Sequence, residues 1–151
     1  MQLKYLPSFV KRRGRITKRQ SKALEQLDNF LVTDVDDISE ALKNYSSCHL
    51  EIGFGNAKHL CKEAKLNKDT LYVGSEVYLS GIGSLLASII EEGIQNIRIY
   101  DQDIRLLLDN KPKEVFDKVV IICPDPWPKE KHHKRCLLYT SDRCRRRDQC
   151  R

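Results

Sequence analysis

The chain has 151 residues, of which 40% are hydrophobic and 32% charged, and its formal net charge is +6. This length suits one domain with its own core and leaves no room for a second. No run of about 18 apolar residues occurs and the first residues lack the apolar centre of a signal peptide, so we expect a cytoplasmic protein and no membrane partner.

The charge is distributed unevenly. Residues 1–24 contribute +8, residues 25–128 contribute −8 and residues 129–151 contribute +6. Basic ends around an acidic middle favour a polyanionic partner held by the two ends, although a solvated basic tail has a similar composition.

The six cysteines include no CxxC pair. This spacing excludes the usual zinc motif and a secreted disulfide framework, so we expect no metal. Buried thiols are the expected state of Cys48, Cys61 and Cys123.

Residues 1–45 are predicted to form a basic arm followed by a helical lead-in. Residues 8–22 hold seven Lys and Arg around Gly14, and we expect a flexible arm or an arm that orders on RNA. Leu24, Leu27 and Leu31 stand at helical spacing and predict a helix over 23–31. An acidic turn then precedes a short helix over 38–42.

From residue 49 the pattern alternates between strand and helix. The predicted elements are strands over 49–54, 71–77, 97–100 and 118–123, and helices over 58–66, 80–90 and 104–108. Such alternation predicts an α/β, Rossmann-like, doubly wound and mostly parallel sheet. Ligands of such sheets bind at the carboxyl ends of the strands.

Each predicted strand end carries a group suited to a ligand. The first strand runs into the glycine turn, residues 53–57 (GFGNA), where Gly53 and Gly55 let the backbone approach a ligand. Glu76 ends the second strand, Asp103 follows the third, and Asp125 follows the fourth. A row of carboxylates suits a cationic, phosphate-free nucleoside such as S-adenosylmethionine better than a dinucleotide. The alternative for Glu76 and Asp103 is an acid that caps the next element.

Glu51 is unusual because it lies inside the first predicted strand between apolar residues. A carboxylate there is costly unless it has a partner. It either points outward on a sheet edge or contacts the ligand, and we favour the ligand contact.

The last predicted strand contains an apolar run at 119–122 that is typical of a strand buried on both faces. It stops at three prolines within 124–128, which cannot continue a ladder and would hold Asp125 and Trp127 over the sheet edge. A basic cluster follows and would meet phosphates, although such a motif is also compatible with a plain chain reversal before a solvated surface.

Four segments together resemble the bacterial tRNA (guanine-N7-)-methyltransferase family. They are LEIGFGN (50–56), SEVYLSGIGSLL (75–86), PDPWPK (124–129) followed by HHKR (132–135), and SFVKRRGRITKRQ (8–20). The resemblance implies a class I methyltransferase fold. It also implies methyl transfer from S-adenosyl-L-methionine to the variable-loop guanine, position 46 of tRNA.

The resemblance also implies roles for individual residues. Asp125 would be the active-site acid. The cofactor would be contacted by Glu51, Gly53, Gly55, Glu76, Asp103 and Asp125. The RNA would be bound by Lys129, Lys131, His132, His133, Lys134 and Arg135.

Residues 136–151 depart from the family and show no strand or helix period. Because four strands are visible where this type of sheet has seven, we expect a sheet that is incomplete at its C-terminus. Our hypothesis is a truncated reading frame with a foreign tail and doubtful activity. The alternatives are a non-catalytic RNA-binding protein and, less favoured, a nicotinamide-dependent oxidoreductase.

Overall fold

A computed structural model describes residues 14–109 and 115–122. The expectations for Cys123, Asp125, Trp127 and the basic cluster at 129–135 lie outside the described residues, as do those for residues 136–151. The described elements are α1 (Lys18–Leu24), a 3₁₀ helix (Leu27–Asn29), α2 (Val35–Leu42), β1 (Ser47–Ile52), α3 (Lys58–Leu66), β2 (Thr70–Ser75), α4 (Leu79–Glu92), β3 (Ile97–Tyr100), α5 (Ile104–Asp109) and β4 (Lys118–Ile121).

The four strands form one parallel sheet in the order β3-β2-β1-β4. In the centre of the sheet, Leu50 of β1 lies opposite Val73 of β2 and Val119 of β4. The strand order reverses direction between β1 and β4, which is where open α/β sheets form their ligand crevice. The predicted α/β class and parallel pairing are confirmed.

The core lies around β2, every residue of which is buried. Buried side chains of α3 and α4, among them Leu60, Leu85 and Leu86, pack in the same cluster. Gly74 of β2 has no room for a side chain, since a Cβ there would lie 2.7 Å from Leu60 Cδ2 and 2.8 Å from Phe54 Cδ1. This close packing brings α3 and the residues before it against the centre of the sheet.

The burial predicted for the last strand is wrong. Val119 is 52% exposed and Ile122 is 44% exposed. Within the described residues β4 pairs with β1 alone, so it is an edge strand of this part of the sheet. An apolar β-branched run looks the same in a sequence whether its strand is central or at an edge.

The basic segment before residue 24 is helical from Lys18, which corrects the expectation of a flexible or RNA-ordered arm for this part. Its first turn is a capping box, in which Gln20 N–H donates to Thr17 Oγ1 at 3.2 Å and Thr17 N–H donates to Gln20 Oε1 at 2.9 Å. Helix α1 packs on α4, where Gln20 Nε2 donates to Ser80 O and to Ser84 Oγ at 3.1 and 2.8 Å. The cationic side chains therefore face outward from a helix with a packed face.

The helix predicted over 23–31 is also wrong beyond residue 24. After the 3₁₀ turn, Leu31 forms a parallel bridge with Ile99 of β3. Ile99 N–H donates to Phe30 O at 2.8 Å, and Val32 N–H donates to Ile99 O at 2.9 Å. Sheet pairing here overrides a three-leucine spacing that suited a helix.

Within the described residues, no helix has the length and apolar character needed to cross a membrane.

Candidate functional site

The glycine turn joins β1 to α3 at the carboxyl edge of the sheet. Gly53, Gly55 and Ala57 have φ angles of 70°, 56° and 63°, a left-handed conformation that glycine adopts without steric cost. Gly53 N–H donates to Ser75 O at 2.7 Å and so extends the β1–β2 pairing into the turn. Among the described residues other than the immediate chain neighbours, no heavy atom lies within 4 Å of a Cβ placed at Gly53 or Gly55. Both glycines are exposed, so a ligand can approach the turn from the side of these Cβ positions.

Glu76, directly after β2, is 7% exposed and holds this turn in place. Its Oε2 accepts from Gly55 N–H at 3.1 Å, while Oε1 accepts from the N–H groups of Val77 and Tyr78 at 2.8 and 3.2 Å. A carboxylate has about four acceptor positions, so three backbone donors leave room for one ligand donor. The structure is therefore compatible with both roles considered for Glu76. It accepts from backbone N–H groups ahead of α4, as a capping acid does, and it lies beside the glycine turn, as a ligand contact would.

The first turn of α4 presses on the same place through Gly81. A Cβ at Gly81 would lie 2.6 Å from Gly55 O and 3.2 Å from Glu76 Cγ. Sequence reasoning did not single out Gly81. The signal was present, because two glycines inside a helix, as in SGIGS, usually have a packing reason.

Glu51 of β1 is 4% exposed and is paired with His59. His59 Nδ1 lies 2.8 Å from Glu51 Oε2. Glu51 stands opposite Gly74 of β2 and Val120 of β4, so the alternative of an outward position on a sheet edge is excluded. Sequence reasoning required a partner for this carboxylate and missed His59, which lies eight residues away across the turn.

Asp103 lies between β3 and α5, and its side chain is 13% exposed. The Arg105 guanidinium forms a bidentate interaction with it, in which Nε donates to Oδ1 at 3.0 Å and Nη2 donates to Oδ2 at 2.6 Å. The backbone N–H of Arg105 also donates to Oδ1, at 3.1 Å. Asp103 therefore caps the start of α5, as its alternative reading states. Its contact with a ligand stays a prediction.

The described residues thus bring Glu76 and Gly55 into direct contact, with Glu51 just before the turn. Glu76 N–H donates to Tyr100 O at 3.1 Å, which links the end of β2 to the end of β3 ahead of Asp103. Among the described residues, no three His, Cys, Asp or Glu side chains are grouped so that they could hold a metal ion.

The described thiols lie in the core and not among the carboxylates of the candidate site. Burial raises the pKa of Cys48 to about 12, and the nearby Asp117 carboxylate adds to the shift. Burial also raises the pKa of Cys61. Both thiols are free and buried, which confirms the expectation for these two positions.

A parallel sheet with a glycine turn after its first strand and an acid after its second is typical of Rossmann-like proteins that bind a nucleoside cofactor. Solved methyltransferases share the fold. An antibiotic-related methyltransferase superposes with a TM-score of 0.52 at 17% identity, covering 66% of this chain and 50% of that chain. A variant of the 16S rRNA (adenine(1408)-N(1))-methyltransferase from Catenulisporales acidiphilia gives 0.50 at 18% identity, covering 65% and 45%. The fold is therefore a Rossmann-like methyltransferase fold.

Sequence comparison makes the relationship more specific. The family model described as "Putative methyltransferase" matches residues 45–142, and the chain belongs to this family. The tRNA (guanine-N(7)-)-methyltransferase of Neorickettsia sennetsu is 42% identical over 135 residues, covering 89% of this chain and 59% of that protein. The enzyme of the same name from Nitrosococcus oceani is 39% identical over 141 residues, covering 90% and 60%. The family resemblance is confirmed, and the chain spans about three fifths of the length of these relatives.

Proposed function

We propose that this protein is a cytoplasmic tRNA (guanine-N7-)-methyltransferase that uses S-adenosyl-L-methionine and acts on guanine 46 in the variable loop. The observation that carries the proposal is the contact between Glu76 and the N–H of Gly55 at the open glycine turn. The names of the relatives support the same reaction.

The donor set of the site fits a sulfonium nucleoside. Glu51 in β1 and Glu76 directly after β2 are buried carboxylates, and Asp103 follows β3. Negative groups favour a cation and disfavour the pyrophosphate of a dinucleotide. The turn is exposed at Gly53 and Gly55, where no described side chain beyond the chain neighbours lies within 4 Å of the Cβ positions. In the proposal these five residues and Asp125 hold the cofactor.

When bound, S-adenosyl-L-methionine supplies an activated methyl group on a sulfonium centre. Guanine N7 carries a free lone pair at neutral pH, so no residue has to remove a proton to create the nucleophile. The task of the chain is to position the base, an effect on the order of several kcal/mol. In the proposal Asp125 accepts hydrogen bonds from the Watson–Crick edge of the guanine and stabilises the positive charge that develops on the base.

The RNA would be held by the two basic ends of the chain. In the described part, Arg15, Lys18 and Lys22 are exposed in and just before α1. The cluster from Lys129 to Arg135 would contact the phosphates close to the active site. Because side chains cannot read guanine N7 in the narrow major groove of A-form RNA, the target base should be unpaired or extruded.

A calorimetric titration of the chain with S-adenosylhomocysteine and with NAD tests the proposal. We expect binding of S-adenosylhomocysteine and none of NAD. Salt-dependent tRNA binding without affinity for S-adenosylhomocysteine would instead identify a non-catalytic RNA-binding protein. Binding of NAD would favour the oxidoreductase.

The role of Asp125 has its own test. In a chain that transfers tritiated methyl groups to tRNA, Asp125→Ala should abolish transfer and leave tRNA binding within about twofold. Comparable transfer by this variant would refute the assigned role.

A further inference from the structure

We propose that His59 is a positioning residue that orients the Glu51 carboxylate for a donor or cationic group of the nucleoside cofactor. This inference rests on the proposed function. It adds a residue to the site that neither the motifs nor the comparisons assign.

The first support is the cost of the carboxylate itself. Glu51 is 4% exposed on a strand that is flanked by β2 and β4. A buried carboxylate without a partner is strongly destabilising. Among the described residues, its side-chain partner is His59, with 2.8 Å between Nδ1 and Oε2.

The second support is the direction of the hydrogen bond. A carboxylate only accepts hydrogen bonds, so Nδ1 of His59 carries the hydrogen in this contact. The bond engages Oε2 and fixes the rotation of the carboxyl group. His59 does not engage the other oxygen, Oε1, which in this inference accepts from a donor on the cofactor.

The third support is the place of the pair around the glycine turn. Glu51 lies two residues before Gly53, and His59 lies two residues after Ala57. The contact therefore bridges the two ends of a turn that contains three left-handed residues. Since the side chain of His59 is 45% exposed, the histidine reaches this buried acid from the surface of α3. A histidine that only paired with a buried acid could do so anywhere in the sheet, whereas this pair lies next to the exposed glycine turn.

Two substitutions of His59 separate the hydrogen bond from the ring. His59→Phe keeps the ring and removes the donor. His59→Asn places an N–H donor where Nδ1 stands. We expect His59→Phe to weaken S-adenosylhomocysteine binding about tenfold, in line with loss of a charge-assisted hydrogen bond, and His59→Asn to stay within about threefold of the unaltered chain.

A double-mutant cycle tests whether His59 acts through Glu51. In a Glu51→Ala background there is no carboxylate to orient, so His59→Phe should cause no further loss of affinity. All titrations are made well below the thermal midpoint of each variant, so that a change in stability alone leaves the measured affinity unchanged. If His59→Phe does not fold, His59→Ser takes its place, because serine is tolerated in the first turn of a helix.

The outcomes separate this inference from the proposed function. Binding by the unaltered chain together with unchanged affinity in His59→Phe would overturn the role of His59 alone. An equal loss in the Glu51→Ala background would overturn it as well. Absence of binding by the unaltered chain would overturn both proposals. The role would be established by a tenfold loss of affinity in His59→Phe that does not occur in His59→Asn and does not occur in the Glu51→Ala background.

Discussion

The amino ends and the carboxyl ends of the strands, here called the amino edge and the carboxyl edge of the sheet, use buried polar groups in different ways. At the amino edge, Asn96 Nδ2 donates to the carbonyl oxygens of Ala64, Asn67 and Thr70 at 2.9, 3.0 and 2.9 Å. At the carboxyl edge, Glu76 accepts from three backbone N–H groups and borders a glycine turn that is open. Both groups are buried and both join separate segments of the chain.

The difference lies in what remains for a ligand. The Asn96 amide N–H groups donate to carbonyl oxygens of the protein itself. These hydrogen bonds connect the residue before β3 to the end of α3 and the start of β2. Glu76 keeps an acceptor position beside exposed backbone. We therefore expect substitutions at the amino edge to change stability without changing cofactor affinity, and substitutions at the carboxyl edge to change affinity.

Asn96→Asp should have the largest effect on stability. It replaces the donor by an acceptor that faces three carbonyl oxygens, and we expect the free energy of unfolding to fall by about 3 kcal/mol or more. Urea unfolding measures the change. The affinity of the folded fraction for S-adenosylhomocysteine should remain that of the unaltered chain. A loss of affinity in the folded variant would erase the proposed distinction between the edges.

Gly81→Ala should have the largest effect on affinity. The added methyl group would lie 2.6 Å from Gly55 O, so the turn or α4 has to move, at a cost of about 1–3 kcal/mol. We expect S-adenosylhomocysteine binding to fall by more than about tenfold.

Gly83→Ala is the matched control in the same helix. Its Cβ would lie 2.8 Å from Gln20 Cβ on α1, on the side of α4 away from the turn contact. We expect a comparable loss of stability with retained affinity. Equal losses of affinity in both variants would mean that any disturbance of α4 affects the site.

Glu76→Gln changes a single atom at the carboxyl edge. The amide keeps the size of the side chain but turns one acceptor into a donor, so either Gly55 N–H or the N–H groups of Val77 and Tyr78 lose their acceptor. We expect unfolding free energy to fall by about 1–2 kcal/mol and affinity to fall about tenfold. Asp103→Asn, whose remaining oxygen still accepts from Arg105, should have the smaller effect on stability.

The pH dependence of Cys48 gives the smallest effect, and it belongs to the amino edge. The folded-state pKa of Cys48 is raised to about 12 from its ordinary value of 9.0, so stability is complete below pH 9 and declines as the pH rises from 9 toward 12. Between pH 8 and 10 the thiol should account for a loss of about 1 kcal/mol. Unfolding of the unaltered chain and of Cys48→Ala at both values measures it, and an identical decline in the two proteins would contradict the assignment.

Local patterns predicted much of the fold. The bounds of α3 and β3 match the prediction because a glycine turn and a polar loop mark their ends, and Gly93 closes α4 in the left-handed conformation. Helix α1 was missed because its basic composition hides a packed face formed by Gln20 and Ala23. Edge exposure of β4 depends on neighbours in space that an apolar run does not specify.

For the candidate site, the sequence named individual residues but not the contacts between them. Glu76 and the glycines were singled out at strand ends and Glu51 as an acid inside a strand, yet the donors that hold the two carboxylates were not identified. His59 meets Glu51 across the turn, and Gly81 meets Gly55 from a helix that starts four residues after the end of β2. Such contacts arise from how α3 and α4 return to the sheet, which no local pattern contains.

We infer that the carboxyl edge binds an S-adenosyl nucleoside through Glu76 and the glycine turn. Titration of the unaltered chain and of Glu76→Gln with S-adenosylhomocysteine, under conditions where both are folded, tests it most directly. We expect binding by the unaltered chain and an affinity about tenfold lower in the variant. Equal affinities would contradict it, as would no binding by either protein.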